Sequence, residues 1–222
     1  MKGLYDTIAP FYDPWSRSVT EDVGFYVDLA VESGGPVVEL AVGTGRIAVP
    51  IARAGIRVIG VDSSPGMLAV AREAAEEAGV SHLVDLREGD LREPPVAERV
   101  PLVLCPFRSL LHMQTEDEKL RALRAAAALL APGGRFAFDV FSPSREDISE
   151  THGRWLEREP GIWERADWDE GSRTLSLSVR SDGGAATTFG LHWLSAPEWL
   201  RLLDDADLEV ESPHGLFDGR PV

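Results

Sequence analysis

Val37-Val38-Glu39-Leu40-Ala41-Val42-Gly43-Thr44-Gly45-Arg46 is an apolar strand that runs straight into a glycine turn, and that turn must open a helix. Junctions of this kind bind nucleotide-like cofactors in α/β proteins. Glycine lacks a Cβ, so the backbone can turn tightly and approach a ligand, while the next helix presents unpaired N–H groups. Gly43 and Gly45 carry that role here. Asp62 follows seventeen residues after Gly45, behind a second apolar run from Ile56 to Val61. That is about the distance at which an acidic side chain meets a ribose diol, so the junction reads as an adenosine pocket.

Outward from the junction, residues 20 to about 141 alternate helix and strand, the pattern of a parallel sheet with covering helices. Strands are expected at 37–40, 57–61, 83–87, 100–105 and 135–141. Val23, Tyr26, Val27 and Ala30 mark a helical face that ends near Gly34-Gly35. Ser63 and Ser64 before Pro65 suit a helix start, and Gly79 suits its stop. Thr115 with Glu118 forms a capping box opening a helix over 115–130, which Pro132-Gly133-Gly134 ends. Beyond Phe141 the texture changes: 162–169, 173–181 and 187–194 alternate polar and apolar residues between turn sequences, an antiparallel meander. Ser195 and Glu198 start a further helix to about Asp205, and 208–211 reads as a last short strand. The expected architecture is α/β: a mostly parallel sheet with helices on both faces, plus a small antiparallel insert over about 153–194.

Composition bounds the partners. A chain of 222 residues with 44% hydrophobic content supports one α/β domain with a substantial core. Its formal net charge of −15 argues against nucleic acid, which needs a basic surface. The single cysteine, Cys105, excludes an intramolecular disulfide and lies in an apolar run, where it reads as a small buried hydrophobe. Residues 1–14 carry no basic segment followed by an apolar core, and no apolar run approaches the roughly 18 residues of a spanning helix. A cytoplasmic protein without membrane contact is expected; a homodimer is compatible with the sequence.

Four motifs in order give the chain a family resemblance over nearly its whole length. ELAVGTGR (39–46), VIGVDSSPGMLAVAR (58–72), REGDLRE (87–93) and LAPGGRFAFDVF (130–141) resemble the class I S-adenosylmethionine-dependent methyltransferases. Within that family the chain resembles small-molecule members that N-methylate deoxysugars. The resemblance implies a Rossmann-like fold, S-adenosylmethionine as cofactor, and transfer of its methyl group to N or O of a small molecule, without a metal. The chain is then a single cofactor-binding domain over 1–222, with an N-terminal lid over 1–34.

Roles carry over position by position. Glu39 is expected to orient the turn and the methionine amino group, and Gly43 and Gly45 to lie under the methionyl and ribose parts. Ala41 stands where the family has its first glycine, and a positive φ there would strain it by on the order of 1 kcal/mol. Asp62 is expected to accept both ribose hydroxyls, Asp90 and the Leu91 N–H to meet the adenine edge, and Ser63 and Met67 to flank the base. From the aromatic run Tyr5 to Trp15, Tyr12 is expected to contact the cofactor, since aromatic faces suit a sulfonium.

On the acceptor side, Pro106 to His112 follows the fourth strand, where open α/β sheets place ligands. His112 is the candidate base or positioning group, and Phe107 and Arg108 are candidate substrate contacts. Asp139 is a weaker candidate. Two rivals remain at this point: Gly43-x-Gly45-x-x-Ala48 also fits a nicotinamide dinucleotide fingerprint, and a protein can bind S-adenosylmethionine without transferring its methyl. A dinucleotide fold needs no carboxylate inside its first strand, so Glu39 and Asp90 favour S-adenosylmethionine. The family's sheet is expected to end with a strand after the turn 217–221, and the sequence offers none there: either the chain is truncated or 208–211 takes a different edge position.

Overall fold

Strand β1 (Val37–Leu40) is buried along its whole length, as a strand must be when helices cover both faces of a parallel sheet. In the computed structural model, which describes residues 4–16, 20–213, 215 and 217, β1 pairs in parallel with β2 (Val58–Asp62) and β4 (Val100–Cys105). β3 (Val84–Glu88) continues the sheet beyond β2 and β5 (Leu130–Phe138) beyond β4, giving the order β3-β2-β1-β4-β5. The chain therefore reverses direction across the sheet between β1 and β4, which opens a crevice at their carboxyl ends.

Helices α1 (Leu4–Ser16), α2 (Val23–Ser33), α3 (Ala48–Arg53), α4 (Pro65–Glu77) and α5 (Glu116–Ala128) surround this sheet. Ser64 caps α4 by accepting from the Met67 N–H, with Pro65 in the first turn. Alternation along the strands sorts their side chains between two cores. Val37, Val58 and Leu102 meet Tyr26, Ala30 and Ile51 of α2 and α3. Val38, Ile59 and Val103 face the other core, which holds Leu123 of α5 and Trp199 of α7 (Ala196–Asp204).

The second sheet is an antiparallel meander, β6 (Trp155–Glu159), β7 (Ile162–Asp169), β8 (Thr174–Ser181) and β9 (Thr187–His192), preceded by α6 (Arg145–Thr151). Three of its strands follow the expected alternation. β6 and α6 lie in a charged stretch without apolar periodicity, and the sequence did not signal them.

Two expectations need correction. β5 begins at Leu130 rather than 135 and ends at Phe138 rather than 141. The Pro132-Gly133-Gly134 turn sits inside the strand as a bulge: Val100 faces Leu130, yet Leu102 already faces Arg135. The segment 208–211 forms no strand. Asp207 takes a left-handed φ of 57° and the Leu208 N–H returns to the Leu203 carbonyl, so these residues close α7 instead. The turn expected at 217–221 lies outside the described residues except for Phe217. Among the described residues, no helix is long and apolar enough to cross a membrane.

Candidate active site

The crevice between β1 and β4 opens into a cavity of about 940 Å³. The turn after β1 and the end of β2 form one wall, the loop after β4 another, and the inner face of the antiparallel sheet closes it from above. Helix α1 contributes Tyr5, Tyr12 and Trp15 to the wall, while α2, the other half of the expected lid, contributes none of its described residues.

At the first wall, Ala41 and Gly43 line the cavity with φ of 58° and 56°. Ala41 thus adopts the left-handed backbone that its family position implies, at a cost of about 1–2 kcal/mol. A Cβ on Gly43 would meet no atom within 4 Å, so the turn leaves that space to a ligand. Asp62, at the end of β2, is oriented by two backbone donors: Gly43 N–H to Oδ2 and Ser64 N–H to Oδ1, both at 2.9 Å. Each of its oxygens keeps a lone pair for a diol. Burial raises the Asp62 carboxyl above its ordinary range and these bonds oppose the rise. Ser63, Met67 and Leu91 also lie on the cavity.

Asp90 reaches the cavity with its carboxylate already engaged by Arg92, which donates from N, Nε and the guanidinium at 2.6–2.9 Å and holds the carboxyl below its usual pKa. Gly45 and Glu39 are not on the wall. At Gly45 (φ 84°) a Cβ would come within 3.3 Å of Val49 and 3.5 Å of Ala71, so this glycine serves the packing of α3 against α4. Glu39 is 1% exposed, and burial drives its carboxyl up to about 8 against the pull of Arg46.

On the acceptor side, Phe107, Arg108 and His112 all face the cavity. The Tyr5 hydroxyl lies 2.8 Å from His112 Nε2. Burial, aided by the Lys119 charge, lowers His112 to about 4, so its ring is neutral at physiological pH. Tyr12, Trp15 and Phe107 meet edge to face with centroids 5.5–6.5 Å apart, and Trp15 packs likewise on Phe189 of β9. Trp15 Nε1 donates to Glu164 of β7 at 3.1 Å, joining α1 to the antiparallel sheet.

The partnerships of Tyr5, Trp15, Phe189 and Glu164 went unread in the sequence, because each joins segments far apart in the chain. The acidic side chains of α1 could have pointed to its docking. Asp6 Oδ1 accepts from Ser64 Oγ and the Gly66 N–H at 2.6 and 2.8 Å, and Asp13 accepts from Thr44 Oγ1 in the glycine turn.

These residues fit S-adenosylmethionine. Behind the turn, Glu39 Oε2 is buried without a hydrogen-bond partner. Asp62 is presented for a diol, and the turn keeps its space clear at Gly43.

Comparison with known proteins agrees. The methyltransferase domain family matches residues 37–134. Over 233 residues, 99% of this chain and 92% of the relative, the sequence is 28% identical to a cypemycin N-terminal methyltransferase from Streptomyces sp. The CcbJ methyltransferase from Streptomyces caelestis, also 28% identical, superposes with a TM-score of 0.84 over 99% of this chain and 92% of that one. The sugar N-methyltransferase KedS8 from Streptoalloteichus sp shares the fold at 18% identity, with a TM-score of 0.71 over 100% of this chain and 90% of that one. The nicotinamide reading of the glycine turn is thereby set aside. With its glycine turn, the Asp62 carboxylate on the cavity wall and these relatives in agreement, the chain carries a methyltransferase domain over 37–134 and is similar over nearly its whole length to methyltransferases.

Proposed function

We propose that the chain methylates the amine nitrogen of a small molecule with an apolar body. The observation that carries this reading is the composition of the cavity wall. Tyr12, Trp15, Phe107 and Phe189 supply aromatic faces, and seven carboxylates, Glu21, Asp147, Glu150 and Glu164 among them, stand against the two guanidiniums of Arg108 and Arg158. Such surroundings attract and hold an organic ammonium. The 28% identical relative named for an N-terminal acceptor supports nitrogen over oxygen.

When bound, S-adenosylmethionine would supply its sulfonium methyl to the lone pair of a free amine and leave as S-adenosylhomocysteine, the methylated ammonium giving its proton to solvent. The chain's own residues align and desolvate. Asp62 takes the ribose diol, Ser63 and Met67 flank the base, Asp90 and the Leu91 N–H meet its edge, and Tyr12 faces the sulfonium. Neutral His112, held by Tyr5, exchanges a hydrogen bond with the acceptor, while Phe107 and Arg108 shape its seat. A single buried cysteine suits the reducing cytoplasm.

The test is incubation of the full chain with S-adenosylmethionine and phenethylamine, tyramine, a 4-amino sugar and a short peptide with a free amino terminus, alongside the matching alcohols. Methylated amine detected by mass, with the alcohols untouched, is the expected result. Methylation of alcohols alone would overturn the nitrogen assignment. Tight S-adenosylhomocysteine binding with no transfer to any of them would favour a binding protein.

A further inference from the structure

Asp139 directly follows β5, and its partly buried carboxylate is the meeting point of three donors from two other segments. Oδ1 accepts from the Tyr26 hydroxyl at 2.8 Å and from the Phe107 N–H at 2.7 Å, and Oδ2 accepts from the Arg108 N–H at 3.0 Å. Phe107 and Arg108 stand at φ of 56° and 62°, two consecutive left-handed residues, neither of them glycine. Backbone of this kind persists only where its surroundings over-determine it.

Both sides of the turn are held. Below it, the Asp139 carboxylate bridges the two N–H groups, and Tyr26, fully buried on α2, fixes the carboxylate in turn. Above it, the Arg46 guanidinium lies 4.8 Å over the Phe107 ring, itself held by Asp22 through bonds of 2.6 and 2.7 Å. The turn then leads directly into the short 3-10 turn Ser109–His112, whose last residue meets Tyr5. Three groups facing the cavity, the Phe107 ring, the Arg108 side chain and the His112 imidazole, therefore depend on one backbone geometry.

We propose that Asp139 is a positioning residue for the acceptor: it touches no substrate, but by clamping Phe107 and Arg108 in left-handed backbone it sets the acceptor-facing ring and imidazole against the cofactor turn. The carboxylate is required in its charged, acceptor-only form. An amide of the same shape would turn an N–H₂ toward one of the donors.

The inference rests on the amine-transfer reading only for its turnover arm. Hydrogen–deuterium exchange on the whole chain compares wild type, Asp139→Asn and Tyr26→Phe. Exchange over residues 105–112 is expected to quicken by about tenfold in Asp139→Asn and much less in Tyr26→Phe, which keeps both backbone bonds, with 37–46 unchanged. S-Adenosylhomocysteine affinity is expected to stay within about twofold, since Asp139 lies outside the cofactor wall.

With an amine that the wild type methylates, Asp139→Asn is expected to lower kcat by about tenfold while the KM for S-adenosylmethionine holds. In an Arg108→Gly background, where glycine accepts the left-handed backbone, the same change is expected to cost less than about threefold. Unchanged exchange over 105–112 would overturn the proposal. So would a parallel fall in turnover, melting temperature and cofactor affinity, or an equal loss in both backgrounds. If no amine is methylated, the acceptor reading fails while exchange and S-adenosylhomocysteine binding still decide the clamp.

Discussion

Tyr5 and His112 meet with the phenol oxygen 2.8 Å from Nε2 and their rings edge to face at 5.4 Å, across 107 residues of chain. The ring nitrogen nearest α1 is thus already in a hydrogen bond. An imidazole lowered to about 4 takes protons poorly from an ammonium, so the role proposed for this pair is to orient the acceptor rather than to carry its proton.

Tyr5→Phe is accordingly expected to lower turnover about fivefold, the worth of one neutral hydrogen bond. His112→Asn, which keeps hydrogen bonding without basicity, is expected to lose no more than about tenfold, against the roughly 10²–10⁴ that a proton-transfer group contributes. Steady-state rates check both; a loss near 10³ in His112→Asn would make the histidine a base.

The pH profile follows from the same burial. His112 is already neutral above about pH 4, so kcat/KM is expected to show no inflection near 6.5, the ordinary imidazole value. It climbs instead toward the acceptor's own ammonium pKa, because only the free amine offers a lone pair. A limb between pH 6 and 7 that His112→Asn abolishes would contradict this.

Glu39 makes a prediction about stability. Its folded carboxyl sits at about 8 against 4.5 in the open chain, so between these values the folded state binds more protons than the unfolded one. Stability is therefore lost as pH rises through that range, at no more than about 1.4 kcal/mol per pH unit from one group. Urea unfolding between pH 6.5 and 8, above the His112 window, is expected to show this decline, and Glu39→Gln to flatten it. An identical slope in both proteins would mean that Glu39 is ionised in the fold.

Ala41 is strained where a glycine would not be. Ala41→Gly removes about 1–2 kcal/mol of left-handed strain and adds roughly 0.4–1 kcal/mol of unfolded-chain entropy. The expected net is a stabilisation of up to about 1.6 kcal/mol, at about 2–4 °C in Tm per kcal/mol for a chain of this size. Differential scanning calorimetry measures it, and a lower Tm would show that the alanine methyl packs usefully against the cavity wall.

What the sequence made legible was local. β1, β4 and β7 follow from mostly apolar runs or alternation between turn residues, and α4 from Ser64 and Pro65. Asp62 and Gly43 fell on the wall because strand, turn and helix fix their spacing. Alternation gives a face but not a depth, which is why Glu39 and Gly45, expected at the ligand, lie behind the cavity wall. The contacts that shape the acceptor side join Tyr5 to His112 and Asp139 to Phe107, spans of 107 and 32 residues that leave no periodic trace.

The Asp22–Arg46 pair gives the site two different responses to ionic strength. Asp22 is 1% exposed and its partner's guanidinium lies against the Phe107 ring, so dissolved salt reaches little of the link between the cofactor turn and Phe107. The acidic cavity mouth of a chain with net charge −15 is open to screening over about 8–10 Å. On the proposed amine reading, salt is expected to weaken the recruitment of a cationic acceptor while leaving the geometry that aligns it intact, so that capture and chemistry become separable by dissolved ions alone.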